Sequence, residues 1–471
     1  MIKKRCCATH GNILILLLVL TSMLVMIALG AFALVSSQSR LAAQQADKQI
    51  TFEIAEAGVE YYRWHLAHVP DDFISDIGEH EYKNALGEVI GSYTIDVIPP
   101  APGSTIVIIQ STGWTTNHPL LKRTISAQLG IPSFATYAVI ANDFMRFGAG
   151  TEIFGPIHSN DGIRFDGVAH NVVSSAKETF TDPDTHHVED GVYTTESNES
   201  TVFLAGKEFP VPAADFNGIT ADLASLKTKA NTGGIYLPSS GADGYHIVLK
   251  TDNTVDITKV TSQATCRYRI WFRWHALSDE MWSIQNESAF TYQSGSSLHV
   301  TIPENGIIFA EDDVWVDGQI NGSKITIVAA EEPLVSGSAN IIVNKDLLYT
   351  SYDGSDVIGL IAQNDFHIGF YSADTFRIDA AIIAQKGRVG RPYYGVVNSS
   401  TWSPAGCNAY VHRDTVTIWG SLATNHRYGF AYTDGTGYQT RNLNFDSELT
   451  FGPPPSFPTT DQYSILSWEE L

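Results

Sequence analysis

The feature that most constrains this chain is an uncharged apolar run from Asn12 to Ser39, close to its start. The run exceeds the roughly 20 residues that a helix needs to cross the core of a bilayer. Lys3, Lys4 and Arg5 stand just before it, which predicts a cytoplasmic N-terminal end and an exported remainder. We therefore expect a transmembrane helix over residues 13–36 that contacts membrane lipid. The protein would cross the cytoplasmic membrane once, with its C-terminal domain outside.

The helical pattern continues beyond the apolar run, because no proline interrupts the chain between Arg40 and His68. The three- and four-residue spacing of its apolar members predicts one helical face. Its members are Ala43, Ala46, Ile50, Ile54, Ala57, Tyr61 and Trp64. The sequence thus predicts a single helix to about Leu66, roughly 80 Å long at about 1.5 Å per residue. Its first half suits lipid, and its amphipathic second half suits a packed domain.

Three strand-like stretches follow within residues 91–130, separated by proline, glycine and asparagine. They predict a small antiparallel sheet that covers the amphipathic half of the helix. We therefore divide the chain into a basic leader (residues 1–11), a stem (residues 12–130) and a surface domain (residues 131–471).

The surface domain carries a loose repeat. GPIHSNDGIRFDG (Gly155–Gly167) and GIIFAEDDVWVDG (Gly306–Gly318) place a glycine, an aliphatic residue, a small residue, two alternating apolar residues and a closing glycine at identical spacing. Each copy predicts two short strands around a corner, which cannot bury its apolar face alone. Stacked copies therefore predict a parallel β-helix-like domain. A β-sandwich with glycine-bounded hairpins is the alternative.

The expected fold class is α+β and mainly β, with one continuous interior in the surface domain. The predicted interior positions are Ile157, Ile163, Phe165, Ile308, Val314, Val316, Leu360 and Phe366. A segment of about residues 213–293 departs from the repeat and is predicted to be an insertion. The triple proline Pro453–Pro455 is predicted to lie across the last turn of the stack.

Charge and cysteine content bear on partners and compartment. The formal net charge is −22, and an acidic surface repels phosphate backbones, so nucleic acid is not expected as a partner. Cys6 and Cys7 lie in the leader, whereas Cys266 and Cys407 lie in the exported part. The latter two can form a disulfide in an oxidising compartment, and two separate buried thiols are the alternative.

A carbohydrate-active enzyme, a polysaccharide lyase or hydrolase, would need converging carboxylates. The candidates are Asp312, Asp313 and Asp317, and Asp161 with Asp166. Asp313 and Asp317 share a strand face about 13 Å apart, too far for a glycosidase pair. All five candidates occupy turn-like positions near glycine, where aspartate is favoured for backbone hydrogen bonding alone. We therefore expect no catalytic residues.

The possible metal ligands also lack a recognised spacing. Thr181–Gly191 contains Asp182, Asp184, His186, His187, Glu189 and Asp190, which favours an acidic surface loop over a metal site. Asp353–Asp356 and Thr251–Asp256 lack a full calcium ligand series. The sequence contains no P-loop and no G-x-S-x-G motif. We expect no metal, no cofactor and no enzymatic activity.

The N-terminus resembles that of type IV pilin-like proteins, and most of all the PilX-type minor pilins. The resemblance covers about residues 1–67. It rests on the leader that ends in Gly11, the apolar helix that begins at once, and FEIAEAGVEYY (Phe52–Tyr62). Residues from Ile131 onward are similar to a family of β-rich bacterial surface domains without an assigned activity. That similarity rests on GPIHSNDGIRFDG, GLIAQNDFHI and the PPPSFP and LSWEEL segments.

The pilin resemblance implies cleavage by prepilin peptidase after Gly11, which leaves Asn12 as the new N-terminus and retains the helix. Absence of cleavage, or cleavage by signal peptidase at the A-x-A site Ala31–Ala33, are the alternatives. Major pilins place a glutamate at the fifth position after the cleaved glycine, and here Leu16 stands there. The resemblance therefore implies a minor pilin.

The expected function is that of a non-enzymatic, membrane-anchored subunit that displays a β-helical domain at the cell surface or on a pilus. Its role would be pilus assembly or adhesion. Its expected partners are other pilin-like subunits and the pilus assembly machinery, and the sequence leaves any surface ligand open. The alternative is an exported carbohydrate-active enzyme on the same β-helix.

Overall fold

The computed structural model describes residues 12–101, 103–270, 273–278, 280–292, 299–396, 407–460 and 462–471. The leader and the junction at Gly11 lie outside the described residues. The chain forms two compact units. The first comprises the described residues up to Pro99, Val107–Gly130 and Tyr463–Leu471, and the second comprises Pro100–Ile106 and Ile131–Gln462. The expected fold class is confirmed, because a long helix precedes a mainly β chain with antiparallel and parallel sheets.

The helices and strands are numbered in chain order. The N-terminal elements are α1 (Asn12–His68), β1 (Gly78–Lys83), β2 (Val89–Ile98), β3 (Ile106–Thr115) and β4 (Lys122–Gly130). Short strands follow up to the second helix: β5 (Val139–Ala141), β6 (Met145–Phe147), β7 (Thr151–Phe154), β8 (Ile157–Ser159), β9 (Ile163–Phe165), β10 (Val168–Ala169), β11 (Val173–Ser175), β12 (Thr179–Thr181), β13 (Val188–Asp190), β14 (Val192–Tyr193) and β15 (Lys207–Glu208).

The second helix, α2, spans Asn217–Gly233. The strands after it are β16 (Ile235–Leu237), β17 (Gly244–Leu249), β18 (Thr254–Gln263), β19 (Arg267–Ile270), β20 (Arg273–Ala276), β21 (Ile284–Ala289), β22 (His299–Thr301), β23 (Ile307–Ala310), β24 (Val314–Gln319), β25 (Lys324–Ala329), β26 (Ile341–Val343), β27 (Leu347–Leu348), β28 (Val357–Ala362), β29 (Phe366–Ile368), β30 (Thr375–Ala384) and β31 (Val389–Gly390). The chain ends with α3 (Cys407–Val411), β32 (His412–Thr424), β33 (Gly437–Phe445) and β34 (Ser464–Glu470).

In the first unit, five strands form a sheet in the order β1-β2-β3-β4-β34. The pairs β1–β2, β2–β3 and β4–β34 are antiparallel. Strand β3 alternates buried and half-buried residues along its whole length, which is the period-two pattern of a sheet with one covered face. The C-terminal strand β34 was expected in the surface domain. It instead satisfies the backbone hydrogen-bonding groups of β4, which would otherwise form an open sheet edge.

The buried face of α1 differs from the predicted one. Its fully buried members are Thr51, Ile54, Ala55, Val59, Tyr62 and Leu66. Of the predicted stripe only Ile54 is fully buried, and Trp64 remains 58 % exposed. Apolar residues occupy both sides of this half of the helix, so spacing alone could not choose the packed side.

Two glycines select the observed face by letting the helix approach the sheet closely. A Cβ atom on Gly58 would overlap the Ser111 hydroxyl and lie 2.8 Å from Tyr93. A Cβ atom on Gly113, in β3, would lie 2.5 Å from the Ala55 backbone nitrogen. Helix and strand therefore meet at backbone distance, an approach that side chains at these positions would prevent.

In the second unit, ten strands stack in one parallel ladder, called ladder A. Their order is β16, β23, β25, β28, β30, β32, β5, β8, β11 and β15. A second parallel ladder, ladder B, contains β17, β24, β26, β29 and β31. A third contains β27, β30, β32, β33, β7 and β10. Parallel pairing between successive turns agrees with the β-helix-like prediction rather than with the antiparallel sandwich.

The register of ladder A explains the sequence repeat. One column contains the buried aliphatic residues Ile235, Ile308, Ile327, Leu360, Ile382, Leu422, Val139, Ile157 and Val173. Two positions further along lies a column of mostly small residues, namely Ala310, Ala329, Ala362, Ala384, Thr424, Ala141, Ser159 and Ser175. The chain turns after this column, in which Leu237 of β16 is the large member among the described residues. All eight predicted interior positions lie in one buried cluster, which confirms that prediction.

Ladder A does not follow chain order, because β32 pairs directly with β5. The chain runs from β5 to β15 at one end of the ladder and passes through α2 to β16 at the other end. It then coils back to β32. Leu223, Leu226 and Ala230 of α2 belong to a cluster that covers the outer face of ladder A. Lys227 pairs with Glu311 and, at 2.7 Å, with Glu332.

The segment predicted to be an insertion contributes strands to the ladders as well. β16 and β17 belong to ladders A and B, whereas β18 pairs antiparallel with β17, β21 and β22. The hairpin β19–β20 lies next to Cys266, which forms a disulfide with Cys407. Of the two alternatives for these cysteines, the structure therefore has the disulfide.

The triple proline was predicted to lie across the last turn of the stack, but it lies elsewhere. Pro454 lies beside Gly359 of β28, and Pro455 lies beside Gly306 at the start of β23. The Thr326 hydroxyl in β25 donates a 2.6 Å hydrogen bond to the Pro455 carbonyl oxygen. The prolines thus cover the outer face of ladder A, where glycine leaves space for their rings.

The close approach at Gly58 predicts a difference between two glycines of the same helix. Gly58→Ala should lower the free energy of unfolding by about 1–3 kcal/mol, because its methyl group overlaps Ser111. Gly30→Ala is the matched control, because nothing lies within 4 Å of a Cβ atom there. Denaturant unfolding of the purified chain in detergent measures both variants. Equal stabilities for the two would contradict the packing described.

The buried interior of the second unit predicts a large effect at Val314, which is fully buried in β24. Val314→Asp should destabilise the unit by several kcal/mol, because it buries a carboxylate without a partner. Val335→Asp introduces the same group at a residue that is 81 % exposed and should have little effect. Thermal unfolding compares them, and an unchanged melting temperature for the Val314 variant would show that the register is wrong.

Candidate functional site

The N-terminal half of α1 exposes apolar side chains around the whole helix. Ile13 is 82 % exposed, Leu18 is 64 % exposed and Phe32 is 75 % exposed. Among the described residues, α1 is the one helix that is long and apolar enough to cross a membrane by length and composition. So much exposed apolar area is unfavourable in water. It therefore requires lipid or other apolar helices around it.

The start of α1 bears on the comparison with pilins. The helix begins at Asn12, and its first turn has no acidic residue. Leu16, at the fifth position after Gly11, is 66 % exposed. No aspartate or glutamate occurs between Asn12 and Ser39, so this segment offers no carboxylate to a neighbouring chain's terminal amine.

Aromatic residues occupy the side of α1 that had been predicted to be buried. The Tyr61 ring lies 5.1 Å from the His80 ring, 6.4 Å from Tyr93 and 6.5 Å from Trp64. Trp64 in turn lies 4.4 Å from His68. Tyr61 is half-buried against the sheet, whereas Trp64 and His68 are exposed, so this side of the helix has an exposed aromatic edge.

The loop after α1 fixes the end of the helix within the first unit. The Tyr62 hydroxyl donates a 3.0 Å hydrogen bond to the Asp72 carbonyl oxygen, and His65 Nδ1 lies 3.2 Å from Asp76 Oδ2. Burial and the neighbouring carboxylates of Asp72 and Asp76 raise the pKa of Tyr62 to about 12. The second half of α1 is therefore held at its end as well as along its buried face.

Among the candidate carboxylates, Asp312 and Asp313 line a cleft of about 410 Å³. Asp312 accepts hydrogen bonds from the Ser240 nitrogen and hydroxyl at 2.8 and 2.6 Å. Asp313 accepts two from Asn340, at 2.7 and 3.0 Å. Burial raises the pKa of Asp313 to about 7, although the Asn340 hydrogen bonds oppose that shift. Both carboxylates hold the corner before β24 through these bonds.

Asp317 lies in a different cavity, of about 320 Å³, so it does not converge with Asp313. It lies 3.0 Å from His246 Nε2, while His246 Nδ1 contacts Glu287. Lys345 lies 3.6 Å from Asp317. The sequence analysis missed this group, because it joins β17, β21 and β24. In the sequence, the only sign of this group was that His246 and Asp317 each stand beside apolar residues of a strand.

The other candidates have structural partners. Arg164 donates a 2.7 Å hydrogen bond to Asp166, whereas Asp161 contributes its backbone carbonyl to the Ser175 hydroxyl. Asp182 accepts hydrogen bonds from its own loop and from Tyr193, and Asp184 pairs with two arginines.

The calcium-type segments are arranged in the same way. Asp353 and Asp252 each accept hydrogen bonds from residues two positions further along. The Asp356 carboxylate accepts from the backbone nitrogens of Ser323, Thr350 and Ser351. Over the described residues, no group of three or more histidine, cysteine, aspartate or glutamate side chains could hold a metal ion.

Comparisons with known proteins add little to this geometry. No protein-family model matches the chain, and no curated protein matches it. Among solved structures, one similar chain is that of the competence-associated pilin ComZ from Thermus thermophilus. The identity is 12 %, the match covers 90 % of this chain and 97 % of that chain, and the TM-score is 0.32. Agreement at this level is too loose to establish a shared fold.

The group around His246 predicts a pH dependence of stability. Burial alone would lower the pKa of His246, but its hydrogen bond to Asp317 and the charges of Asp317 and Glu287 raise it above the ordinary value of 6.5. The protonated form is therefore favoured by folding. This stabilisation is fully present below about pH 6.5 and is lost as the pH rises through the raised pKa.

His246→Gln should accordingly reduce stability most at pH 6 and progressively less at higher pH. Denaturant unfolding at several pH values between about 5 and 9 measures the difference from the parent chain. His426→Gln is the control, because that side chain is 63 % exposed and should leave the pH profile of the parent unchanged. A constant difference for His246→Gln across the range would contradict the charged pairing.

Proposed function

We propose that the chain is a membrane-anchored, non-enzymatic pilin-like subunit of the PilX-type minor pilin class. One observation carries the proposal. A single unbroken helix exposes apolar residues all round in its first half and is buried in a folded unit in its second half. Residues 13–36 would insert into the lipid of a bacterial cytoplasmic membrane, or pack against the helices of other pilin-like subunits after assembly.

The exposed edge of α1 supports assembly with other subunits. Ile50 and Trp64 on this edge remain 37 and 58 % exposed, although they lie beyond the stretch that lipid would cover. Neighbouring helices would shield them in a filament. Because Leu16 supplies no carboxylate, the subunit would suit the tip of a pilus, or the priming of assembly, better than a repeated position in the shaft.

The second unit would be the part displayed outside the cell, as a β-helical domain within residues 131–471. The Cys266–Cys407 disulfide supports an oxidising compartment for it. A carbohydrate-active enzyme on the same fold remains the alternative. The hydrogen bonds that occupy Asp312 and Asp313, and the position of Asp317 in a separate cavity, support the non-enzymatic assignment.

The proposal predicts the mature N-terminus. Prepilin peptidase would cut after Gly11 and leave Asn12 as the first residue, with the whole of α1 retained. Mass spectrometry of the protein from membranes of cells that contain this peptidase measures the result. A Gly11→Val variant is the matched control and should keep the full leader, because the side chain blocks the glycine-specific site.

A mature N-terminus at Leu34, after Ala31–Ala33, would release the chain from the membrane and contradict the proposal. The same samples distinguish the enzymatic alternative. Incubation of the purified chain with acidic polysaccharides should leave their size distribution unchanged, and depolymerisation would favour the enzyme.

A further inference from the structure

One cavity of the second unit collects positive charge in an acidic chain. Its volume is about 820 Å³, and four of its lining residues are arginines: Arg146, Arg388, Arg427 and Arg441. Asp184 is the single carboxylate among the described lining residues, whereas the chain as a whole has a net charge of −22. The arginines come from separate segments, in β6, before β31, after β32 and in β33. The positive charge of the cavity therefore arises from the fold, which brings these four arginines together.

The cavity already shows how it holds a carboxylate. Arg427 Nη1 and Nη2 donate hydrogen bonds of 3.1 Å to the two oxygens of Asp184, and Arg146 Nη1 donates one of 2.9 Å. These hydrogen bonds and charges lower the pKa of Asp184, with Arg427 as the largest cause. Two parallel hydrogen bonds from one guanidinium are the geometry that matches carboxylates best.

Donors remain after Asp184 is satisfied. Within the described part of the chain, Arg388 uses only Nη2, which donates to the Arg391 and Gly429 carbonyl oxygens and to the Tyr432 hydroxyl. Its Nε and Nη1 face no carboxylate there. Arg441 is different, because its three nitrogens are bonded to Thr151 and to backbone carbonyls. Arg388 and part of Arg146 thus offer free donors, while Arg441 contributes charge.

Tyr432 supplies the accessible aromatic surface of the cavity. Tyr428 and Phe430 lie behind the cavity wall, because they are only 6 and 1 % exposed. The Tyr432 ring is half-buried and lies beside that of Tyr393, at 4.9 Å. A volume of this size accommodates a small ligand of one or two sugar units. Aromatic walls with a few convergent donors are typical of sites that bind such ligands.

We infer that this cavity binds a saccharide unit that carries a carboxylate, held by Arg388 and Arg146 and packed against Tyr432. A single anionic unit fits better than a long phosphate polymer, because the net charge of −22 on the chain repels an extended polyanion. The inference goes beyond the proposed anchoring. It is tested on the purified chain, so either proposal can fail without the other.

The experiment is calorimetric titration of the full chain in detergent with glucuronic acid and with N-acetylneuraminic acid. At least one of these acids should bind, glucose should not, and affinity should fall as salt is added. Arg388→Gln should weaken binding about tenfold, as expected for loss of a charge-assisted hydrogen bond. Asp184→Asn should strengthen binding several-fold, because it frees the arginines. A merely structural role for Asp184 cannot give that gain.

Two controls make the result decisive. Arg273→Gln removes the same charge from an exposed strand position and should leave affinity unchanged. Arg388→Lys retains the charge but loses the planar guanidinium, and it should weaken binding as Arg388→Gln does. Thermal unfolding verifies that each variant is folded. Binding of neither acid, equal binding of glucose or of inorganic phosphate, or displacement of the sugar acid by a single-stranded oligonucleotide would each overturn the inference.

Discussion

The contact between α1 and strands β2 and β3 is the interaction on which the rest of the structure depends. Gly58 and Gly113 bring the helix and the sheet to backbone distance, and the buried residues from Thr51 to Leu66 fill the interface. Because α1 is continuous from Asn12 to His68, whatever surrounds its apolar half is rigidly linked to the folded unit at its other end. Under the proposed function, a helix fixed in this way anchors the first unit in a membrane or filament.

The second unit obtains its stability from a different source. Each short strand buries little by itself, and the aliphatic and small-residue columns of ladder A become a core only when successive turns stack. The pairing of β32 with β5 joins the two coils into one ladder, and α2 with the proline segment covers the outer face. Short sequence repeats can therefore yield a large buried interior.

The sequence predicted those features that local spacing determines. The apolar run gave the membrane-type helix, and the alternating repeat gave Ile157, Val314, Leu360 and the other interior positions. The predicted buried face of α1 was wrong, because the close approach of Gly58 to the sheet depends on Ser111 in a distant strand. The β34–β4 and β32–β5 pairings, the His246 group and the arginine cavity were not predicted for the same reason. Each joins residues that are far apart in the chain and carry no common motif.

The central claim is that one helix anchors an exported domain, and protease accessibility tests it most directly. Spheroplasts that express the chain with an epitope after Leu471 are treated with proteinase K, and the products are analysed by immunoblotting and mass spectrometry. The account predicts loss of the epitope together with survival of a membrane-bound fragment that contains residues 13–36. An epitope that survives until the membrane is lysed, or recovery of the intact chain in the soluble fraction, would contradict it.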